Sequence, residues 1–204
     1  MAVSMFRFWA RRASTPIISG AGHILRLPQI SDFPEWKAVR EASYNHLQPW
    51  EPSWGPDDLT RQAFRLRIER NEHEYSNGSA IPLFIFSKQE GALLGGITIG
   101  QIRRGAAQCC MIGYWMGEQY AGQGHMRASL TLVIHHIFER LQLHRIEAAC
   151  IPDNERSLAL LEKAGFQREG ALREYLKING RWRDHVLLSL LASEYKMLKK
   201  DNKA

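Results

Sequence analysis

Residues 119–126 read QYAGQGHM, and their types and spacing suit an anion. Gly122 and Gly124 carry no side chain, so a ligand can approach the backbone there. Directly behind them Met126, Leu130, Val133, Ile134, Ile137, Phe138 and Leu141 recur at the three-and-four spacing of a helix. The first turn of a helix offers unpaired N–H groups and partial positive charge, which together attract phosphate. Two familiar phosphate loops are excluded. A Walker loop needs Lys and then Ser or Thr after its last glycine, where this chain has His125 and Met126. A dinucleotide fingerprint needs a third glycine at position 127, where Arg127 stands. What remains is Q-x-x-G-x-G, Gln119 to Gly124, a pattern that a simple strand-ending turn can also produce.

Other chemistries have less support. His135 and His136 are adjacent on a helix and point roughly 100° apart, and His125, His144 and His185 form no ligand spacing, so no metal is expected. The three cysteines, Cys109, Cys110 and Cys150, are odd in number and lack C-x-x-C spacing, which argues against a disulfide framework or a zinc site. A reducing, cytoplasmic compartment is the corresponding expectation. Glu51 lies between Trp50 and Trp54 in the loop LQPWEPSWGP. Those indoles could form a binding lip around Glu51, or simply pack the loop onto the body.

These residues need elements to position them. A short strand is expected over residues 24–27, then a helix capped by Ser31 or Asp32 that runs to Ser43. Its apolar positions are Phe33, Trp36 and Val39. After the Trp-rich loop, a polar helix should run from Asp57 to Tyr75 and stop at Asn77-Gly78. Its arginines at 61, 65, 67 and 70 could be a basic interaction face or a solvated one. Residues 81–87, 93–101 and 109–116 read as an antiparallel meander. Residues 145–150 form the next strand, 155–163 a short helix, and 166–176 and 182–191 a hairpin about Asn179-Gly180. The whole is a mixed α/β sheet of six to seven mostly antiparallel strands.

Composition bounds the class. A chain of 204 residues, 45% apolar and 24% charged, suits one ordinary domain with a full core. A net charge of +6 favours acidic partners such as nucleotide phosphates, an RNA or ribosome surface, or acidic lipids, without choosing among them. No run of 18 apolar residues exists, so no transmembrane helix is expected. The basic, aromatic stretch 1–19 lacks a secretory h-region and reads as a flexible extension. The domain proper spans 20–195, and the charged tail 196–204 is expected to fray.

The glycine loop resembles the pyrophosphate loop of the GNAT N-acetyltransferases, usually written Q/R-x-x-G-x-G/A. The segments IGYWMGEQYAGQGHMRASL, LHRIEAACIPDNERSLALLEKAGFQREG and YLKINGRWRDHVLLSL follow in that family's order and spacing. LQPWEP, NERSLALLEKAGF and NGRWRDH are similar to its ribosomal-protein branch, in particular the type acetylating the N-terminal alanine of ribosomal protein S5. The resemblance covers roughly residues 20 to 195 and implies a sheet splayed after its fourth strand, following a bulge in that strand, with acetyl-CoA as cosubstrate. It implies backbone contacts to the cofactor from Tyr114, Trp115 and Met116, and diphosphate contacts from Gln119, Gly122, Gln123, Gly124, His125 and Met126.

Asn154 matches a family asparagine that bonds the cofactor, although a helix N-cap is the plain alternative. Ser157 matches a serine proposed in relatives to protonate the departing thiolate, or is an ordinary first-turn serine. The base is open. Where some relatives carry a glutamate this chain has Leu176; Glu174, two residues earlier, should share its face. Glu51 is the other candidate, for amine recognition, while Glu118 and Glu147 read as structural. The resemblance thus implies direct acetyl transfer to the N-terminal α-amine of a protein, a ribosomal one, by a monomeric or homodimeric enzyme, with acetylation of a small amine (a polyamine or antibiotic), or a ribosome- or RNA-binding assembly role, as alternatives.

Overall fold

The computed structural model describes residues 18–201. Its centre is one sheet of eight strands: β1 (Ile18–Ser19), β2 (His23–Arg26), β3 (Ile81–Ser87), β4 (Leu93–Arg103), β5 (Cys109–Met116), β6 (Arg145–Cys150), β7 (Gln167–Ile178) and β8 (Arg181–Leu191). They lie in the order β1-β2-β3-β4-β5-β6-β8-β7. Every neighbouring pair is antiparallel except β5 with β6, which is parallel. The strand beyond the expected seven is β1, whose two residues are too few to show a period.

Alternation along β3 separates two cores. Ile81, Leu83 and Ile85 face one cluster, and Phe84 and Phe86 face another, so the clusters lie on opposite sides of the sheet. The first takes Leu130, Val133, Ile134 and Ile137 from α4 (His125–Glu139) and Leu158 and Leu161 from α5 (Glu155–Lys163). The second takes Trp36 from α1 (Phe33–Ala42) and Phe64 and Ile68 from α3 (Arg61–Ser76). With both faces covered, IPLFIFS in β3 is buried almost throughout.

Four local expectations are corrected. Asp32 stands at the N-cap of α1 but makes no side-chain cap; its carboxylate takes a forked pair of bonds from Arg26 at 2.6 and 2.8 Å, and one from the Gln29 N–H at 2.7 Å. Helix α3 begins at Arg61, not Asp57, because the Thr60 hydroxyl accepts the Ala63 N–H at 3.2 Å and ends the preceding turn. Part of the Trp-rich loop is helical: α2 (Tyr44–Leu47) runs into a tight turn over Gln48–Trp50. The charged tail begins within a helix, since α6 spans Ala192–Asp201, with Tyr195 stacked on Phe138 at 5.0 Å. The expected extension at residues 1–19 falls mostly outside the described residues. Among those described, no helix is long and apolar enough to cross a membrane. Of the α3 arginines, Arg61 and Arg67 lie over the rings of Phe33 and Trp36 at 5.6 and 5.5 Å.

Two glycines let the end of β5 sit close to β4. A Cβ on Gly95 would come within 2.3 Å of the Trp115 carbonyl oxygen, and one on Gly96 within 2.5 Å of the Trp115 indole nitrogen. Gly95→Ala is therefore expected to cost about 1–3 kcal/mol through overpacking against backbone. A urea titration should show it as a lower midpoint, while Gly113→Ala, whose added methyl meets nothing within 4 Å, stays close to the parent.

Candidate active site

The expected anion seat has the required backbone. A tight turn over Glu118–Tyr120 follows β5, and the Gln123 side-chain amide ties the loop by donating to the Gln119 carbonyl at 2.7 Å. Gly122 and Gly124 have φ of 77° and 84°, in the left-handed region that side chains disfavour. Gly124 is the N-cap of α4 and offers no side chain to satisfy the first turn. The first helical bond runs from the Ala128 N–H to the Gly124 carbonyl, and no described residue accepts from the amides of His125, Met126 and Arg127. A Cβ on either glycine would meet nothing within 4 Å, so the approach is open.

His125 belongs to this seat through its backbone, because its ring turns away. Its Nδ1 lies 3.0 Å from Nε2 of His23 on β2, with the rings edge to face. Burial, and then the neighbouring His125, hold His23 below the ordinary histidine pKa. A cavity of about 440 Å³ adjoins the loop on this side, between residues 21–23 and the face of α4 that carries Arg127 and Thr131.

Next to the loop the sheet opens. Strand β5 keeps its pairing with β4 as far as Gly95↔Met116, but pairs with β6 only from Cys109↔Arg145 to Met111↔Glu147. Residues 112–116 thus have a strand on one side alone. This is the splay expected after the fourth of seven strands, now β5. The associated bulge is on β4, where the register shifts between Gly100 and Arg103, rather than on β5. The Gly117 N–H donates to the Leu94 carbonyl at 2.9 Å. Alternation then turns the backbone groups of Tyr114 and Met116 the other way, into the gap. Tyr114 and Met116 send their side chains toward the α4–α5 core, and Trp115 sends its indole toward the α1–α3 core.

Across the gap stands the start of α5. Asn154 is its N-cap, with Oδ1 accepting the Ser157 N–H at 3.1 Å. The Ser157 hydroxyl lies 2.7 Å from the Tyr114 hydroxyl. Burial pushes the Tyr114 phenol up, against the opposing pull of that hydrogen bond, so it stays protonated through neutral pH. Such a hydroxyl pair can hold and pass a proton. The Tyr114 hydroxyl was missed by sequence reasoning, which used only that residue's backbone. All three cysteines are buried and free, and burial pushes the Cys110 thiol up to about 12.

The two candidate bases fare differently. Glu174 does not share a face with Leu176. Strand β7 bulges between Leu172↔His185 and Leu176↔Arg183, and Glu174 sits in that bulge at φ 46°, exposed, its N–H bonded to Asp184 at 2.7 Å. Glu51 is near the end of β5 but already engaged. Arg40 donates to both its oxygens, and the Trp54 indole N–H donates to one of them at 3.0 Å. Glu147 is held by Arg145 and Arg103 at 2.8 and 3.0 Å, as a structural role requires. The missed residue here is Arg40. It stands four positions after Trp36, on the apolar side of α1, which was its available signal. Among the described residues, no group of three or more His, Cys, Asp or Glu side chains could hold a metal ion.

The Acetyltransferase (GNAT) domain profile matches residues 23–167. The chain belongs to the GNAT acetyltransferase family. It is accordingly an N-acetyltransferase with acetyl-CoA as the acetyl donor. Among its relatives, the [ribosomal protein uS5]-alanine N-acetyltransferase of Escherichia coli K12 is 30% identical over 186 residues, 90% of this GNAT chain and 96% of the relative. RimJ of Mycobacterium smegmatis, solved in complex with CoA-disulfide, is 35% identical with a TM-score of 0.80, over 84% of this chain and 83% of that one. The ribosomal-protein-S5-alanine acetyltransferase of Vibrio fischeri is 30% identical with a TM-score of 0.79, over 87% and 97% of the two chains. In this GNAT enzyme, Gly122→Glu should abolish CoA binding, since it strains a left-handed position and puts a negative charge where the diphosphate is expected. Calorimetry should show no binding heat while circular dichroism stays native; retained affinity would refute the assignment of the loop.

Proposed function

We propose that this enzyme transfers acetyl from acetyl-CoA to the N-terminal α-amine of a protein, an alanine-first ribosomal protein, directly within a ternary complex. The uncapped amides of α4 suit the diphosphate, and the open edge of β5 suits the amide-bearing pantetheine arm. Acetyl-CoA supplies an activated acyl group on a thiol leaving group. The chain supplies the rest: backbone N–H groups of β5 that can polarise a carbonyl oxygen, and Ser157 Oγ, which holds a proton for the leaving sulfur with the Tyr114 hydroxyl behind it. Asn154 serves by holding Ser157 at the first turn of α5.

One observation carries the choice of acceptor. Of the two carboxylates expected to serve the amine, Glu51 is neutralised by Arg40 and Glu174 is turned outward in a bulge. A polyamine needs free carboxylates, whereas an N-terminus needs no strong base. An α-amine of pKa about 8 is roughly one-tenth neutral at pH 7, and a lysine at about 10.4 is some hundred-fold worse. The relative that acetylates the alanine of uS5 supports the same class.

A mass-shift assay with peptides beginning Ala, Ser or Met, an internal-lysine peptide and spermidine tests the acceptor. Acetylation of the Ala-first peptide at its N-terminus is expected; modification of spermidine alone would sink the proposal. The rate at low peptide concentration should climb about tenfold per pH unit up to about pH 8 and then level off. Ser157→Ala should lower kcat by about a hundredfold and leave the Kd for acetyl-CoA unchanged. A parent-like kcat would remove the serine from the chemistry.

A further inference from the structure

Arg40 is the least explained buried charge in the molecule. It lies in the last turn of α1, 8% exposed, and no described residue accepts from its buried Nε. Its guanidinium carbon is 4.2 Å from the centre of the Trp54 ring and 5.0 Å from that of Trp115. Both terminal nitrogens meet the Glu51 carboxylate. A buried ion pair is a poor source of stability, because desolvation offsets the attraction, and an unpaired donor adds to the cost. The arrangement instead fixes geometry: a planar fork between two indoles permits one orientation of Glu51 and Trp54 relative to β5.

Glu51 carries that orientation onward. Its carbonyl accepts the Asn179 N–H at 2.9 Å, and the Gln48 side chain donates to Asn179 Oδ1 at 2.9 Å. Asn179 and Gly180 form the tip of the β7–β8 hairpin. In the bulged part of β7, the Tyr175 hydroxyl lies 3.8 Å from Met111 Sδ, at the last residue where β5 pairs with β6. The tip is therefore joined to the loop that carries Trp54, and the same hairpin reaches β5 where its open part begins. Trp115, against Arg40, faces the α1–α3 side, opposite the face on which α4 and α5 pack.

We propose that Arg40 is a positioning residue for the acceptor: acting through Glu51, it holds the Trp54 loop and the hairpin tip together as the entrance by which a polypeptide N-terminus reaches the gap. The proposal rests on the reading of the acceptor as a polypeptide N-terminus. Glu51 is then a hub of the entrance and does not take the amine proton.

The test uses the full chain and two independent variants. Arg40→Met removes the fork; the pair Gln48→Ala with Asn179→Gly loosens the tip and leaves α1 untouched. In each, the KM for an Ala-first peptide should rise about tenfold or more with the acetyl-CoA Kd within about twofold of the parent. Arg40→Lys should not restore the KM, because an ammonium cannot fork to both oxygens. Hydrogen exchange should quicken over residues 44–58 and 176–182 in Arg40→Met. An unchanged peptide KM in the tip variant, or rescue by lysine, would overturn the proposal. If the parent acetylates no peptide, the acceptor reading fails by itself; exchange over those segments still decides whether Arg40 couples them, and parent-like exchange rejects it.

Discussion

A strand with one edge left unpaired inside a sheet is the constraint on which this molecule turns. Backbone N–H and C=O groups require partners, and an open row of them is ordinarily a hazard. Here β5 loses β6 after Met111 while β4 continues to support it through Met116. The row is therefore rigid, aligned and free. A ligand with amides of its own can complete the ladder, and the uncapped start of α4 stands beside it for a ligand's charged end. Gly95 and Gly96 contribute from behind by letting β4 approach Trp115 so closely that the edge cannot sag.

Because side chains alternate along β5, its open segment serves two compartments. Tyr114 reaches toward α5 and the Ser157 hydroxyl, whereas Trp115 reaches toward α1 and Arg40. On the proposed reading, proton handling and acceptor entry fall on opposite sides of one strand, a single residue apart. The nearby carboxylate, Glu51, is already engaged by an arginine and an indole. An amine that can lose its proton to water fits such a site.

Much of this was legible in the letters. Strands β3, β5 and β6 and helix α5 begin and end where periodicity and turn residues placed them, with Gly117 just after β5, Pro152 just after β6, and Asn154 and Gly165 on either side of α5. The glycine loop was legible because positive φ is written directly as Gly122 and Gly124. What failed was whatever depended on a distant partner. Asp32 has the type of a cap but is claimed by Arg26, and Thr60, an unremarked residue, caps α3 instead. Helix α6 looks like a charged tail until Tyr195 is seen stacking on Phe138. Glu174 was placed by counting in twos along β7, and a bulge defeats that count without leaving any glycine at the bulged positions.

That bulge has a wider consequence. Between Leu172 and Leu176 strand β7 spends four steps where β8 spends two, from His185 to Arg183, so the ribbon carries two inserted residues there. A scaffold built this way can redirect its targets through short insertions and deletions in a peripheral ribbon, leaving the machinery that grips the acyl carrier untouched by such drift.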